Sequence, residues 1–335
     1  MKNSHQILFL VALIIFFYFM AKWRWKIQIY FNSKSLSYYT PKDEYPISTL
    51  LKDEHNSMTR FGADAMKESK IVICTLVRGI ADRFTEIKKR AEKVGSQFKD
   101  YRIIVVENNS EDGSRKLLNE WRKKNNRIII LGCGVNSDID TCNLKFAARQ
   151  TDDHMVDRSR IEKMVKLRNI YMEYLKENES EYSDFDYVIV WDMDIVGSIY
   201  LDGIANSLGW MNSKNSYAKN ADGMCAYGIG KIGFFTMYYD RYAHIDYGDE
   251  FHINTKPVHD LKKWLSVRYD NGTPPVKVIS CFGGFTIYRF SSIIRDDIEY
   301  DMSPPDNLEC EHVRLNSKLK NIYMNPSMIY SVLKN

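Results

Sequence analysis

The chain is short of the features that mark metal-cage, redox and nucleotide-loop proteins. Its 6 cysteines (Cys74, Cys133, Cys142, Cys225, Cys281 and Cys310) form no CxxC pair and no zinc spacing with histidine, which excludes zinc fingers and thioredoxin-like redox motifs. Cys74 and Cys281 lie in apolar runs and read as core residues. Nothing demands a disulfide, and a pairing among the others stays open. Gly132-Cys133-Gly134 lacks the third glycine of a dinucleotide fingerprint, and P-loop, HExxH and GxSxG motifs are missing too. Charge of one sign is scarce: 47 basic against 43 acidic residues leave a net +4 in 335 residues. That balance argues against nucleic acid as a partner and offers anionic substrates only weak steering. No internal repeat or low-complexity tract occurs.

What the chain does have is aromatic and apolar. Aromatics make up 13%, with 22 tyrosines, which suits stacking platforms for sugars or bases and equally a tyrosine-rich core. Ile7–Ala21 is an uninterrupted apolar stretch followed by Lys22, Trp23, Arg24, Trp25 and Lys26. Bulky and basic residues stand where a signal peptide would need a small-residue cleavage region. Residues 1–26 therefore read as an uncleaved membrane anchor, a transmembrane helix with Trp23 and Trp25 at the interface. The side of the membrane is ambiguous. Greater positive charge after the segment favours a cytoplasmic domain, whereas Golgi enzymes commonly have the opposite arrangement. Asn-x-Ser/Thr triplets stand at Asn108, Asn178 and Asn271.

Residues 27–68 are polar, contain Pro41 and Pro46, and read as a stem. From residue 70 strands and helices alternate. Lys70–Val77 is a buried-strand run, and Asp82–Phe98 carries a helical stripe of Phe84, Ile87, Ala91 and Val94. Arg102–Val106, Ser114–Lys124 and Arg127–Leu131 read as strand, helix and strand. A polar loop over residues 133–157 and a long helix from Ser159 to Asn178 follow. This order predicts an α/β domain over 69–335, with a mixed, mainly parallel sheet and flanking helices. Beyond Asp194 the pattern loosens into strand-like pieces such as Gly223–Tyr239 and Lys277–Arg289, read as a mixed sheet with loops.

The most informative segment is Tyr187–Asp194, YVIVWDMD. An apolar strand ends in Asp192 and Asp194, which an extended backbone would point to one side. Open α/β sheets bind ligands at the carboxyl ends of their strands. Two hard oxygen donors there suit Mg²⁺ or Mn²⁺ bridging to a diphosphate.

Further clusters lie around it in sequence. Glu107-Asn108-Asn109-Ser110-Glu111-Asp112-Gly113-Ser114 follows a strand and opens a helix. It reads as a base-and-ribose pocket, or as a turn in which Asp112 or Ser114 caps the helix. Arg168 falls on the apolar stripe of Ile161, Met164, Val165, Tyr171, Met172 and Leu175. A buried charge there needs a diphosphate or a carboxylate such as Asp194, unless it snorkels to the edge. In Glu309-Cys310-Glu311-His312, His312 would complete a metal shell, and either glutamate would serve as base or stabiliser. Gly283 and Gly284, inside an apolar run, mark a close ligand approach or a bulge.

Taken in order, these pieces resemble glycosyltransferases of the GT-A fold. The carrying segments are IVICTLVRG (71–79), VVENNSEDGS (105–114), KLRN (166–169), VIVWDMD (188–194), SCFGGFTIYR (280–289), CEHVRLN (310–316) and IYMNPSMIY (322–330). The nucleotide loop is similar to that of family-two-type enzymes. The RN helix, the glycine pair and the final Asn-Pro resemble the fungal capsule-associated α-1,3-mannosyltransferases. The resemblance implies Mn²⁺ or Mg²⁺ on Asp192 and Asp194, with His312 as a metal or diphosphate contact. It also implies nucleotide contacts at Thr75, Arg78, Glu107 and Asn109, with a GDP- or UDP-sugar as donor and a glycan or glycoconjugate hydroxyl as acceptor. The DMD sequence departs from the fungal pattern, so a hexose is expected rather than mannose specifically. Inverting transfer would need a general base, for which Asp222, Glu309 and Glu311 are candidates. Two other readings compete: a phosphatase of the haloacid dehalogenase type, whose D-x-D motif Asp192–Val196 matches, and an inactive glycan-binding module.

Overall fold

The computed structural model describes residues 11–13, 15, 16, 18, 39–132, 157–195, 197–232, 235–248, 268–304 and 308–332. Most of the expected anchor, and the expected loop over 133–156, lie outside these residues. Among the described residues no helix is long and apolar enough to cross a membrane.

The first strands are β1 (Lys70–Val77), β2 (Asp100–Glu107), β3 (Ile128–Leu131) and β4 (Tyr187–Trp191). They run parallel in the order β3-β2-β1-β4. Helices α2 (Phe84–Gly95), α3 (Ser114–Lys124) and α4 (Arg158–Glu177), with the short α5 (Glu179–Tyr182), supply the crossovers. β1 alternates as the pleat requires. Ile71 and Ile73 join the core under α2 and α3, while Val72 and Cys74 join the opposite core under α4. Strand order reverses between β1 and β4, and such switch points open a crevice at the strands' carboxyl ends.

The second half extends the sheet. It comprises β5 (Gly197–Ile199), α6 (Leu201–Asn212), β6 (Gly223–Ile232), β7 (Phe235–Tyr238), β8 (Ile245–Asp246), β9 (Val276–Ser280), β10 (Phe285–Arg289), α7 (Phe290–Ile293), α8 (Glu311–Ser317) and β11 (Ile322–Val332). The described residues form an eleven-stranded sheet in which β10 runs antiparallel between β4 and β6, and β6 runs parallel to β11. The mixed sheet with flanking helices agrees with the sequence pattern.

Several local expectations change. Part of the expected stem is helix α1 (Lys52–Glu68), packed so closely on α6 that a Cβ on Gly62 would stand 1.7 Å from Ala205 O. Lys277–Arg289 is two strands with different partners, separated by a turn over 281–284. Gly283 has φ +62°, and a Cβ on it would meet Ala226 O at 2.2 Å. That glycine therefore serves a turn against the chain's own backbone. Cys281 is buried but bonded to Cys225, while Cys74 is a free core residue as expected.

Candidate active site

β4 stops at Trp191, so Asp192 and Asp194 sit in the turn that follows rather than in extended strand. Ile195 N–H donates to Asp192 O at 3.2 Å and closes that turn. Its carbonyls are gripped from two directions. Arg90 of α2, 8% exposed, donates to Met193 O at 2.9 Å, to Ile195 O at 3.3 Å and to Gly197 O. Tyr330 of β11 donates its hydroxyl to Asp192 O at 3.1 Å. Met193 is buried and both aspartates keep some surface. The acid pair is thus delivered to the crevice by a clamped turn.

Arg168 is buried on α4, as its place in the apolar stripe predicts. Nη2 donates to Asp192 Oδ1 at 3.1 Å and Nε to Glu311 Oε1 at 3.0 Å. Its partners are therefore Asp192 and Glu311 rather than Asp194. The guanidinium lies 5.3 Å from the Phe282 ring and 5.7 Å from the Tyr300 ring. His312 stacks on the Phe282 ring, with centroids 3.7 Å apart. Arg168 Nη1 and both ring nitrogens of His312 are buried without a hydrogen-bond partner among the described residues, a state that points to a polar ligand.

The electrostatics separate the carboxyls. Burial pushes Glu311 up, but Arg168 together with the smaller effects of His312, Arg160 and a backbone hydrogen bond outweighs it and holds the carboxyl at about 2. Burial and the Asp192 charge push Asp194 up to about 6. Burial, then Asp192 and Glu311, push Asp240 up to about 8. Asp240 follows β7, holds a left-handed φ of +70°, and accepts the Gly283 N–H. Burial and Arg168 hold His312 neutral. On the cationic side, Arg160 acts on Asp192 and Glu311, Arg83 acts on Asp194, and Lys163 feels Arg78.

Several sequence candidates are occupied elsewhere. Thr75 is fully buried within β1, so it offers a nucleotide no surface. Glu107 is buried; it accepts Ser110 N–H at 2.6 Å and Arg115 Nε–H at 3.1 Å. Asp112 accepts Ala81 N–H at 2.9 Å and Ser114 N–H at 3.2 Å. Ser110 and Ser114 accept Gly79 and Ile80 N–H groups at 3.0 and 2.8 Å. The loop after β2 is therefore a zipper that fixes the loop after β1, and the turn reading describes Asp112. Arg78 and Asn109 are exposed at the rim. Asn109 has φ +52° and accepts from Arg115 at 3.5 Å.

The three proposed bases also fall away. Asp222 precedes β6, whose Gly223 lies level with Tyr288 and, through β10, with Val188 at the start of β4. It is at the far end of the sheet from Asp192. There it accepts Ser292 Oγ–H at 2.7 Å and the N–H groups of Lys320 and Asn321, each at 3.0 Å. Glu309 is buried against Arg314, 3.4 Å away. Glu311, held ionised by Arg168, is too weak a base near neutral pH. Arg90, Arg160 and Asp240 were missed by sequence reasoning. Arg90 had a signal, since it adjoins Ala91 on a stripe that turns inward.

Among the described residues no group of three or more His, Cys, Asp or Glu is placed to hold a metal, so His312 does not form a ready cage with the aspartates. Two carboxylates alone still fit Mg²⁺ or Mn²⁺, which complete their shells with water and substrate phosphates. The raised Asp194 carboxyl marks the negative charge that such an ion would neutralise.

No curated protein matches the chain. Among solved structures, Staphylococcus aureus TarS 1–349 matches with a TM-score of 0.42 and 12% identity, over 79% of this chain and 60% of that one. The chain thus spans about three fifths of that structure's length. The mannosyltransferase PcManGT from Pyrobaculum calidifontis, in complex with GDP-Man and Mn²⁺, matches with 0.41 and 9%, over 84% and 66%. GalNAc-T7 with UDP, GalNAc and Mn²⁺ matches with 0.45 and 10%, over 88% and 55%. The family model described as Cryptococcal mannosyltransferase 1 covers residues 84–314. That span takes in α2 and its Arg90 clamp, the bridging Arg168, the acid pair and most of α8, so the chain belongs to the Cryptococcal mannosyltransferase 1 family.

Proposed function

We propose that the protein transfers a hexosyl group from a nucleoside-diphosphate sugar to a hydroxyl of a glycan or glycoconjugate. Mannose, named in the family's description, is the first sugar to test, with GDP- and UDP-linked donors as candidates. The observation that carries this reading is the clamped acid pair at the switch point, tied to α4 by Arg168. Asp192 and Asp194 would hold Mn²⁺ or Mg²⁺, which neutralises the charge of a departing diphosphate. Arg168 fixes the orientation of Asp192. Arg78, Arg160 and Lys163 add the positive field that draws a diphosphate into the crevice. Asp240, half-buried on the half of the fold that follows the acid pair, lies near enough to Asp192 and Glu311 to feel both charges. There its weakly acidic carboxyl is suited to taking the proton of the acceptor hydroxyl. Ile7–Ala21 would anchor the domain to a membrane.

The phosphatase reading expects the acid motif on the opening strand of its domain, whereas here it follows β4, and family membership leaves it without support. The decisive experiment incubates the full chain with Mn²⁺ and a panel of nucleotide sugars, and measures nucleoside diphosphate release with and without glycan acceptors. One donor should be consumed, and Asp194→Asn should abolish the release. Hydrolysis of simple phosphate esters with every nucleotide sugar left intact would overturn the proposal.

A further inference from the structure

The fold separates the three Asn-x-Ser/Thr triplets. Asn108 is 5% exposed and opens the turn that Glu107 holds. Asn271 is 7% exposed, and its Nδ2 donates to Tyr45 O at 2.9 Å. A glycan replaces a hydrogen on that nitrogen and needs open space beside it, so neither site tolerates one in the folded chain. Asn178 differs. It ends α4, is half-buried, and is followed by exposed Glu179 and Ser180. Its Nδ2 donates at 2.8 Å to Tyr174 O, a carbonyl of the same helix end, where water can replace it. Asn178 lies ten residues beyond Arg168 on α4, about 15 Å along the axis at 1.5 Å per residue, and the chain then enters β4 from its amino end. A sugar at Asn178 would leave the crevice open.

An independent feature agrees. Cys225 of β6 and Cys281 of the 281–284 turn are joined by a disulfide, and both are fully buried. Disulfides form and persist in oxidising compartments and are rare in the cytosol. N-linked glycans are acquired on the same side of the membrane. The positive charge after the apolar segment favours the other side, but large domains translocate largely regardless of flanking charge.

We propose that the catalytic domain lies on the oxidising, lumenal side of the membrane and carries an N-linked glycan at Asn178, and at neither Asn108 nor Asn271. This goes beyond the transfer reaction and does not rest on it. In the modification, the Asn178 amide nitrogen bonds to the anomeric carbon of a lipid-linked oligosaccharide. The bond from that carbon to the lipid diphosphate breaks, the diphosphate leaves, and the amide proton passes to the oligosaccharide-transferring enzyme. In the cross-link, the Cys225 and Cys281 thiols give two electrons and two protons to a disulfide oxidant of that compartment.

The test expresses the full chain in eukaryotic cells and compares its mobility before and after peptide N-glycosidase. Glycopeptide mass spectrometry of the unaltered chain locates the sugar, so misfolding of a variant cannot mask the result. A single-glycan shift is expected, retained in Asn108→Gln and Asn271→Gln and lost in Asn178→Gln. In denaturant, Cys225 and Cys281 should resist alkylation until reductant is added. The absence of any shift, a glycan mapped to Asn108 or Asn271, or both thiols alkylating without reductant would overturn the proposal.

Discussion

Arg168 of α4 and Asp192 of the turn after β4 meet, with Nη2 donating to Oδ1 at 3.1 Å, from a guanidinium that is only 2% exposed. The same guanidinium holds Glu311 at 3.0 Å. One buried cation therefore fixes half of the acid pair and anchors α8 to α4. A buried charge deprived of its partner is costly, so this contact has both structural and functional weight.

Replacing Arg168 by Gln should leave the buried Glu311 and the half-buried Asp192 without their cation. A loss of about 3–5 kcal/mol is expected for a broken buried pair, read by denaturant unfolding. Arg168→Lys keeps the charge but loses the fork that reaches two carboxylates. It should recover part of the stability while donor turnover stays low.

The acid pair predicts a pH dependence in metal-free protein. Folding raises the Asp194 carboxyl from 3.8 to about 6, so the folded state favours the protonated form. The group costs nothing below about pH 4. Its penalty grows as pH rises towards 6 and is constant above. Melting temperature should therefore carry a component that falls between pH 4 and 6. Mn²⁺ or Mg²⁺ should restore it above pH 6, because the ion binds only the folded pair. Asp194→Asn should remove both effects in a thermal melt.

Two aspartates should behave oppositely. Asp222→Asn lies at the far end of the sheet, so turnover should persist. Unfolding should become easier by about 0.5–1.5 kcal/mol, the net worth of a hydrogen bond at a part-exposed site. Asp240→Asn should lower kcat roughly 10²–10⁴-fold, the range for a lost general base, with nucleotide affinity unchanged in calorimetry.

Cys225→Ser should cost about 4 kcal/mol by loop-entropy reasoning, given the separation of 56 residues. Because Cys281 opens the turn carrying Phe282 and Gly283, donor turnover should fall with it. Reductant should lower the melting temperature of the parent chain and leave that of the variant unchanged.

The alternation of strands and helices over residues 70–131 was legible because each apolar run repeats at a single period, so local pattern and tertiary role coincide. Arg168 was legible for the same reason, as a charge on an apolar stripe demands a partner. Glu107 and Asp112 were misjudged because short polar side chains after a strand serve equally well as ligand contacts or as turn caps. Only the partners, Ala81, Ser110, Ser114 and Arg115, distinguish the two. Asp222 was misjudged because nothing local records to which end of a sheet a strand delivers its first residue. Asp240 lay in no motif, since its role comes from a turn that sets it beside Gly283, more than forty residues later in the chain.

The sequence by itself determined the sheet class and the burial of Arg168, because hydrophobic period and the cost of a buried charge act within a few residues. Tertiary structure alone decided which carboxylates share the crevice, which are spent on turns and sheet ends, and that Cys225 meets Cys281. Those outcomes depend on strand order and register, which join residues that no local pattern relates.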